Sequence, residues 1–150
     1  MLGQKKSLKQ INFLNFIRMP NKINYRINKK KHDVVITTNI VYEIKKKIIS
    51  LKSDKKILFL YDKNINSNII SEIFNGLKIS GCLIYKIKLS GLKKNKNINS
   101  VLNIIEFLSE NNFTKKSIVV SCGGGVLGDL CALASSLYMR GLIYINIPST

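Results

Sequence analysis

The sequence predicts an α/β fold, a Rossmann-like parallel sheet with helices on both faces, and three observations carry that expectation. Short β-branched apolar runs alternate with amphipathic stretches of about ten residues or more, the pattern of parallel strands joined by covering helices. Residues 117–140 read SIVVSCGGGVLGDLCALASSLYMR, so three consecutive glycines join one such run to a helical stretch. The 150 residues with 45 % apolar content suffice for one domain with a real core.

Residues 1–20 form a basic extension, with Lys5, Lys6, Lys9 and Arg18 and no acid. It reads as a targeting segment, as sequence upstream of a true start at Met19, or as a short extension. Little Ser or Arg and no small-residue cleavage signal weigh against targeting. The ordered domain is expected over residues 21–150. KINYRI and DVVITT flank the polar NKKKH as two strands and a turn. Residues 39–51 place Ile40, Val41, Ile44 and Ile48 on one helical face, leaving Lys45, Lys46 and Lys47 toward water. Strand KILFLY follows, then a helix over 67–79 with Ile69, Ile70, Ile73, Phe74 and Leu77 at core spacing and Gly81 as its stop. After strand CLIYKIKL and the loop SGLKKNKN, Ile98, Val101, Leu102, Ile105 and Leu108 mark a third helix. SIVVSC is a buried strand, VLGDLCALASSL a helix with apolar spacing at Val126, Leu130, Leu133 and Leu137, and LIYINI the last strand.

The glycine join is the first candidate site. Glycine permits positive φ and close approach of a ligand, and the opening turn of a helix offers unpaired N–H groups and partial positive charge. Such a place binds phosphate. Gly123, Gly125 and Gly128 fit G-x-G-x-x-G in its strand-to-helix context, without the acidic residue expected about 20 positions on. Asp62 stands at a strand end, where it reads equally as a ribose ligand or as a turn cap. Asp129 suits a helix N-terminus by charge alone. Arg140 suits bidentate capture of phosphate or carboxylate, or simply caps a helix end.

A formal net charge of +17 raises nucleic acid or an anionic membrane as partners, but Lys, Asn and Ile are abundant everywhere rather than in one patch. No nucleic-acid and no membrane partner is expected, and no apolar run approaches the roughly 18 residues of a span. Cys82, Cys122 and Cys131, an odd number of thiols in apolar settings without C-x-x-C spacing, suit a reducing, cytoplasmic compartment. His32 is the sole histidine, so no complete metal site is expected in this chain.

GGGVLGD, an Arg140-Gly141 pair eleven residues after Asp129, and an apolar strand ending Pro148-Ser149-Thr150 together resemble the 3-dehydroquinate synthase family. Val126, Gly128 and the lack of a Lys three residues after Asp129 favour this sugar-phosphate cyclase branch over the related polyol and alcohol dehydrogenases. The resemblance reaches back to about residue 21 and covers well under half of a family member. It implies the N-terminal NAD-binding part of an enzyme that turns the seven-carbon phosphate of the shikimate pathway into 3-dehydroquinate. It further implies Asp62, Lys96, Gly124, Gly125, Val126, Asp129, Ser149 and Thr150 as cofactor contacts, with Arg140 toward the sugar-phosphate substrate. The family's divalent metal, zinc or cobalt, and its ligands would lie beyond this segment in a helical C-terminal domain. Where G-E-x-x-K is usual, Lys93 stands in place of Glu and Gly91 is one residue out of register; Lys93, Lys94 and Lys96 also read as a solvated basic loop. Ser149 replaces the first Thr of the pair. A separate C-terminal half is the expected partner, with homodimerisation by analogy; another cyclase, a polyol dehydrogenase or a non-catalytic remnant are the alternatives.

Overall fold

A computed structural model describes residues 21–27, 30–79 and 81–149; the basic extension over 1–20 and Thr150 lie outside them. Asn21–Ile27 (β1) and Lys30–Ile36 (β2) pair antiparallel as a separate two-stranded sheet. Lys30, Lys31 and His32 of the polar NKKKH stretch are therefore strand, because the ladder continues down to Ile27 opposite Lys30. Asp33 of β2 meets Lys47 at 3.0 Å and Lys22 at 3.2 Å, and these partners, Lys47 first, hold its carboxyl below the ordinary range.

Ile40–Ser50 (α1), Lys56–Asp62 (β3), Ser67–Leu77 (α2), Leu83–Leu89 (β4), Ile98–Glu110 (α3), Ile118–Gly123 (β5), Gly125–Leu137 (α4) and Ile143–Pro148 (β6) follow. The four strands form one parallel sheet in the order β4-β3-β5-β6. Alternation along the strands divides the core. Ile57, Phe59, Ile118, Val120 and Cys122 pack with Ile44 and Ile48 of α1 and Ile70 and Ile73 of α2. Leu58, Leu60 and Val119 pack with Val101, Ile104 and Leu108 of α3 and Leu127, Leu130 and Cys131 of α4. Helices thus cover both faces, as the sequence predicts.

Helix phases differ from expectation where an apolar stripe is wider than the surface available to it. On α3 the buried stripe is Val101, Ile104 and Leu108, while Ile98 and Leu102 are half exposed. Ile69 of α2 also faces outward. On α4 the buried residues are Leu127, Leu130, Cys131, Ala134 and Ser135, and Leu133 and Leu137 are exposed. That helix is apolar nearly all round, so periodicity does not fix its phase, and its small residues bring it close to the sheet. Gly81 does not stop α2, which ends at Leu77; with φ 78° it belongs to the turn closed by the Cys82 N–H on the Ile79 carbonyl at 2.9 Å.

Candidate functional site

Strand order locates the crevice. From β3 the chain leaves through α2 on one face, and from the neighbouring β5 it leaves through α4 on the other. The two connections diverge at the carboxyl ends of adjacent strands, and ligands of open α/β sheets bind at such a switch point. Asp62 closes β3 and the glycine loop closes β5, so these sequence-predicted positions flank it. Ser149 joins them, because its N–H donates to the Gly123 carbonyl at 3.0 Å.

The glycine loop works by space rather than by twist. Among the described residues, positive φ at glycine occurs at Gly81 and Gly141 and not in the triplet, so the expected conformational need is not what Gly123–Gly125 meet. A Cβ on Gly123 would fall 2.6 Å from Leu127 Cδ2, which makes that glycine a requirement of strand-to-helix packing. A Cβ on Gly125 would meet nothing within 4 Å. Asn39, Asn66 and Asn97 cap the other three helices through their side chains, whereas Gly124 at the start of α4 supplies no such cap. The first turn of α4, with Gly125 exposed and Val126 half-buried, therefore presents N–H groups and open room to the crevice.

Asp62 takes the turn-capping role its position allows. Its Oδ1 accepts from the Asn64 N–H at 2.9 Å, a turn-closing bond, while Oδ2 abuts the Gly91 α-carbon so closely that a Cβ there would overlap it. Gly91, one position out of register with the family pattern, is thus the residue that gives Asp62 its place. Beyond it the turn Lys93–Asn95 carries the chain to Lys96, whose Nζ lies 2.7 Å from Asp129 Oδ2 in the first turns of α4. The pair stands at the head of a shallow groove of about 270 Å³ walled by Ile98, Val101, Leu130 and Leu133. A cavity of about 320 Å³ lies at the opposite edge of the sheet, between Ile48, Leu51, Lys55, Ile79 and Cys82, and includes none of these residues.

Beneath the loop is a polar cluster that sequence reading does not reveal. Ser121 Oγ, fully buried, lies 2.7 Å from Tyr144 Oη and 2.8 Å from Asn146 Oδ1, and Tyr144 Oη donates to the Gly128 carbonyl at 3.0 Å. Burial pushes the Tyr144 hydroxyl up to about 12. A serine within an otherwise apolar strand two residues before the glycines was the available signal. Burial likewise pushes the Cys122 and Cys131 thiols up to about 11 and 12, which fits small core residues rather than nucleophiles.

Residues 86–150 match the family profile described as 3-dehydroquinate synthase N-terminal. Residues 86–150 belong to the 3-dehydroquinate synthase family. The 3-dehydroquinate synthase of Clostridium acetobutylicum is 30 % identical over 128 residues, covering 85 % of this chain and 36 % of that protein. That of Pelagibacter ubique is 31 % identical over 130 residues, covering 86 % and 35 %. The chain therefore spans about a third of these relatives. In fold it is similar to a 2-deoxy-scyllo-inosose synthase solved with carbaglucose-6-phosphate, NAD+ and Co2+, with TM-score 0.73 and 17 % identity over 87 % of this chain and 35 % of that one. A 2-epi-5-epi-valiolone synthase from Streptomyces hygroscopicus, solved with NAD+ and Zn2+, gives 0.66 and 22 % over 84 % and 35 %.

Arg140, the residue that family resemblance assigns to substrate, does not join the switch point. It precedes β6, which runs parallel to β5, so it lies at the amino edge of the sheet, about 17 Å of strand away from the glycine loop. There Met139 and Arg140 hold left-handed φ values of 47° and 62° ahead of Gly141 at 113°, and Arg140 is exposed. Parallel order alone carries this inference, since a residue just before a strand cannot sit at that strand's carboxyl end. Thr150 lies outside the described residues. Among the described residues no three His, Cys, Asp or Glu side chains gather as a metal site, and no helix is long and apolar enough to cross a membrane.

Proposed function

We propose that this chain is the NAD-binding portion of a 3-dehydroquinate synthase. The observation that carries the reading is the open space over Gly125 at the uncapped start of α4, at the switch point of a parallel sheet. A dinucleotide phosphate fits there because no side chain occupies the position a Cβ would take. Gly124, Gly125 and Val126 supply backbone to the pyrophosphate, Asp62 Oδ2 accepts from a ribose hydroxyl, and Lys96 and Asp129 offer one donor and one acceptor at the groove. Ser149 and Thr150 bring hydroxyls from the end of β6.

Bound NAD would supply reversible hydride transfer at a ring hydroxyl of the substrate. The whole enzyme would convert 3-deoxy-D-arabino-heptulosonate 7-phosphate into 3-dehydroquinate and phosphate, with the divalent metal and its ligands contributed by a C-terminal part. Among the described residues no donor set for that metal forms, so none is assigned. Arg140 at the far edge fits a substrate phosphate site only if a second copy presents it, which supports a homodimer. Free cysteines support a cytoplasmic setting.

The test is reconstitution: the chain, mixed with the C-terminal part of a related synthase, NAD and a divalent metal, is assayed for phosphate release and 3-dehydroquinate. Turnover is expected. NAD binding with turnover of a different sugar phosphate would assign another cyclase, with turnover of a polyol a dehydrogenase, and the absence of NAD binding would leave a non-catalytic remnant.

A further inference from the structure

Below the glycine loop, three polar contacts share two hydroxyl protons. Ser121 touches both Tyr144 Oη and the Asn146 amide, and Tyr144 touches both Ser121 and the Gly128 carbonyl. Each hydroxyl has one proton to give. With the Asn146 oxygen toward Ser121, the serine proton goes to Asn146 and the tyrosine proton to Gly128, which leaves the 2.7 Å contact between the two hydroxyls without a proton. A bare oxygen pair at that distance in a buried setting is repulsive. The two ends of an amide have the same outline, so the network decides which end faces inward. With Nδ2 inward, Asn146 donates to Ser121, Ser121 to Tyr144 and Tyr144 to the Gly128 carbonyl. Every contact then holds one proton.

We infer that Asn146, Ser121 and Tyr144 form this one-way hydrogen-bond chain, with the Asn146 amide nitrogen against Ser121, and that the chain positions the first turn of α4 for the dinucleotide. The amide lies directly over Gly128, where an added Cβ would come within 3.4 Å of one end and 3.6 Å of the other. Gly128 is therefore held from its α-carbon by Asn146 and from its carbonyl by Tyr144, and its N–H closes the turn on Gly124 at 3.1 Å. The tyrosine keeps its proton because burial raises it well above neutrality. Asp129 and Cys131 on α4 are the ionisable groups that act on it. Ser121 is fully buried and Tyr144 half-buried, so these two are positioning residues, and Asn146, though exposed, acts through them. The positioning part rests on the reading that NAD lies on this loop.

Two readouts on the full chain separate the parts. In the side-chain amide region of a proton–nitrogen NMR spectrum, Asn146 is expected to show one proton protected from exchange and in contact with Ser121. Two freely exchanging protons would overturn the chain. In NAD titrations, Tyr144→Phe and Ser121→Ala are each expected to weaken binding about two- to tenfold, the range one hydrogen bond carries. The double variant should be no worse than the more affected single one, because a chain broken once is broken. Unchanged affinity alongside a lowered melting temperature would reduce the cluster to ordinary packing. Should the unaltered chain bind no NAD, the functional reading falls, and the amide signal still decides the chain itself.

Discussion

Lys96 Nζ sits 2.7 Å from Asp129 Oδ2, an ion pair that ties the loop after β4 to the first turns of α4. Both side chains are more than half exposed, 56 % and 61 %, so water screens the pair and it contributes little to stability. Their meeting is better explained by what they face together. Lys96→Met is expected to change stability by less than about 1 kcal/mol while weakening NAD binding. Thermal melts and calorimetric titration of the same sample check both parts; a large stability loss with unchanged affinity would make the pair structural.

Gly91 and Asp62 form a second linked pair. Alanine at 91 would overlap Asp62 Oδ2 and push the carboxylate out of the crevice, which it can leave by side-chain rotation. Gly91→Ala should therefore cost only about 1 kcal/mol of stability yet weaken NAD binding as much as Asp62→Ala does. Affinities of the two variants, compared side by side, decide it.

Most of the architecture was legible because strands and helices alternate with clear periods. The phase of α4 was not, since the small residues Cys131, Ala134 and Ser135 pack inward beside Leu127 and Leu130, while Leu133 and Leu137 stay exposed. Asp62 and the glycines were legible as strand-end positions and Ser149 through the resemblance, and the structure brings all of them to one edge of the sheet. The Ser121, Tyr144 and Asn146 cluster was hidden, because it forms across the β5–β6 register between residues far apart in sequence. Arg140 was named toward substrate by resemblance alone, and parallel topology assigns it to the other edge of the sheet.

Asp54 shares the acid response with Asp33, whose carboxyl is also held low. Burial works to raise the Asp54 carboxyl, but hydrogen bonds from Ser117, Thr114 and the Lys56 N–H prevail and hold it below 3.8. A depressed folded value means that its contribution is present above the unfolded value and is lost as pH falls through the folded one. Stability should thus decline below about pH 4, and Asp54→Asn should remove part of that slope while lowering stability at neutral pH. Urea melts from pH 7 to 3 measure it; identical slopes would contradict the assignment.

Arg140 is expected to be silent in cofactor binding. Arg140→Ala should leave NAD affinity of the chain unchanged, because the residue stands at the amino edge, and should reduce turnover once a C-terminal part is supplied. Loss of NAD affinity in this variant would place Arg140 at the crevice after all.

Gly125 tests the central claim most directly. Its Cβ position is open and its φ is ordinary, so Gly125→Ala should fold as well as the natural chain and gain up to about 1 kcal/mol in helix propensity. Calorimetric titration of NAD into both proteins, each shown to be folded, is the measurement. Binding by the natural chain and a loss of at least about tenfold in the alanine variant is the result expected, since a methyl would occupy ligand space. Equal binding by both, or none by the natural chain, would contradict an NAD site on the glycine loop.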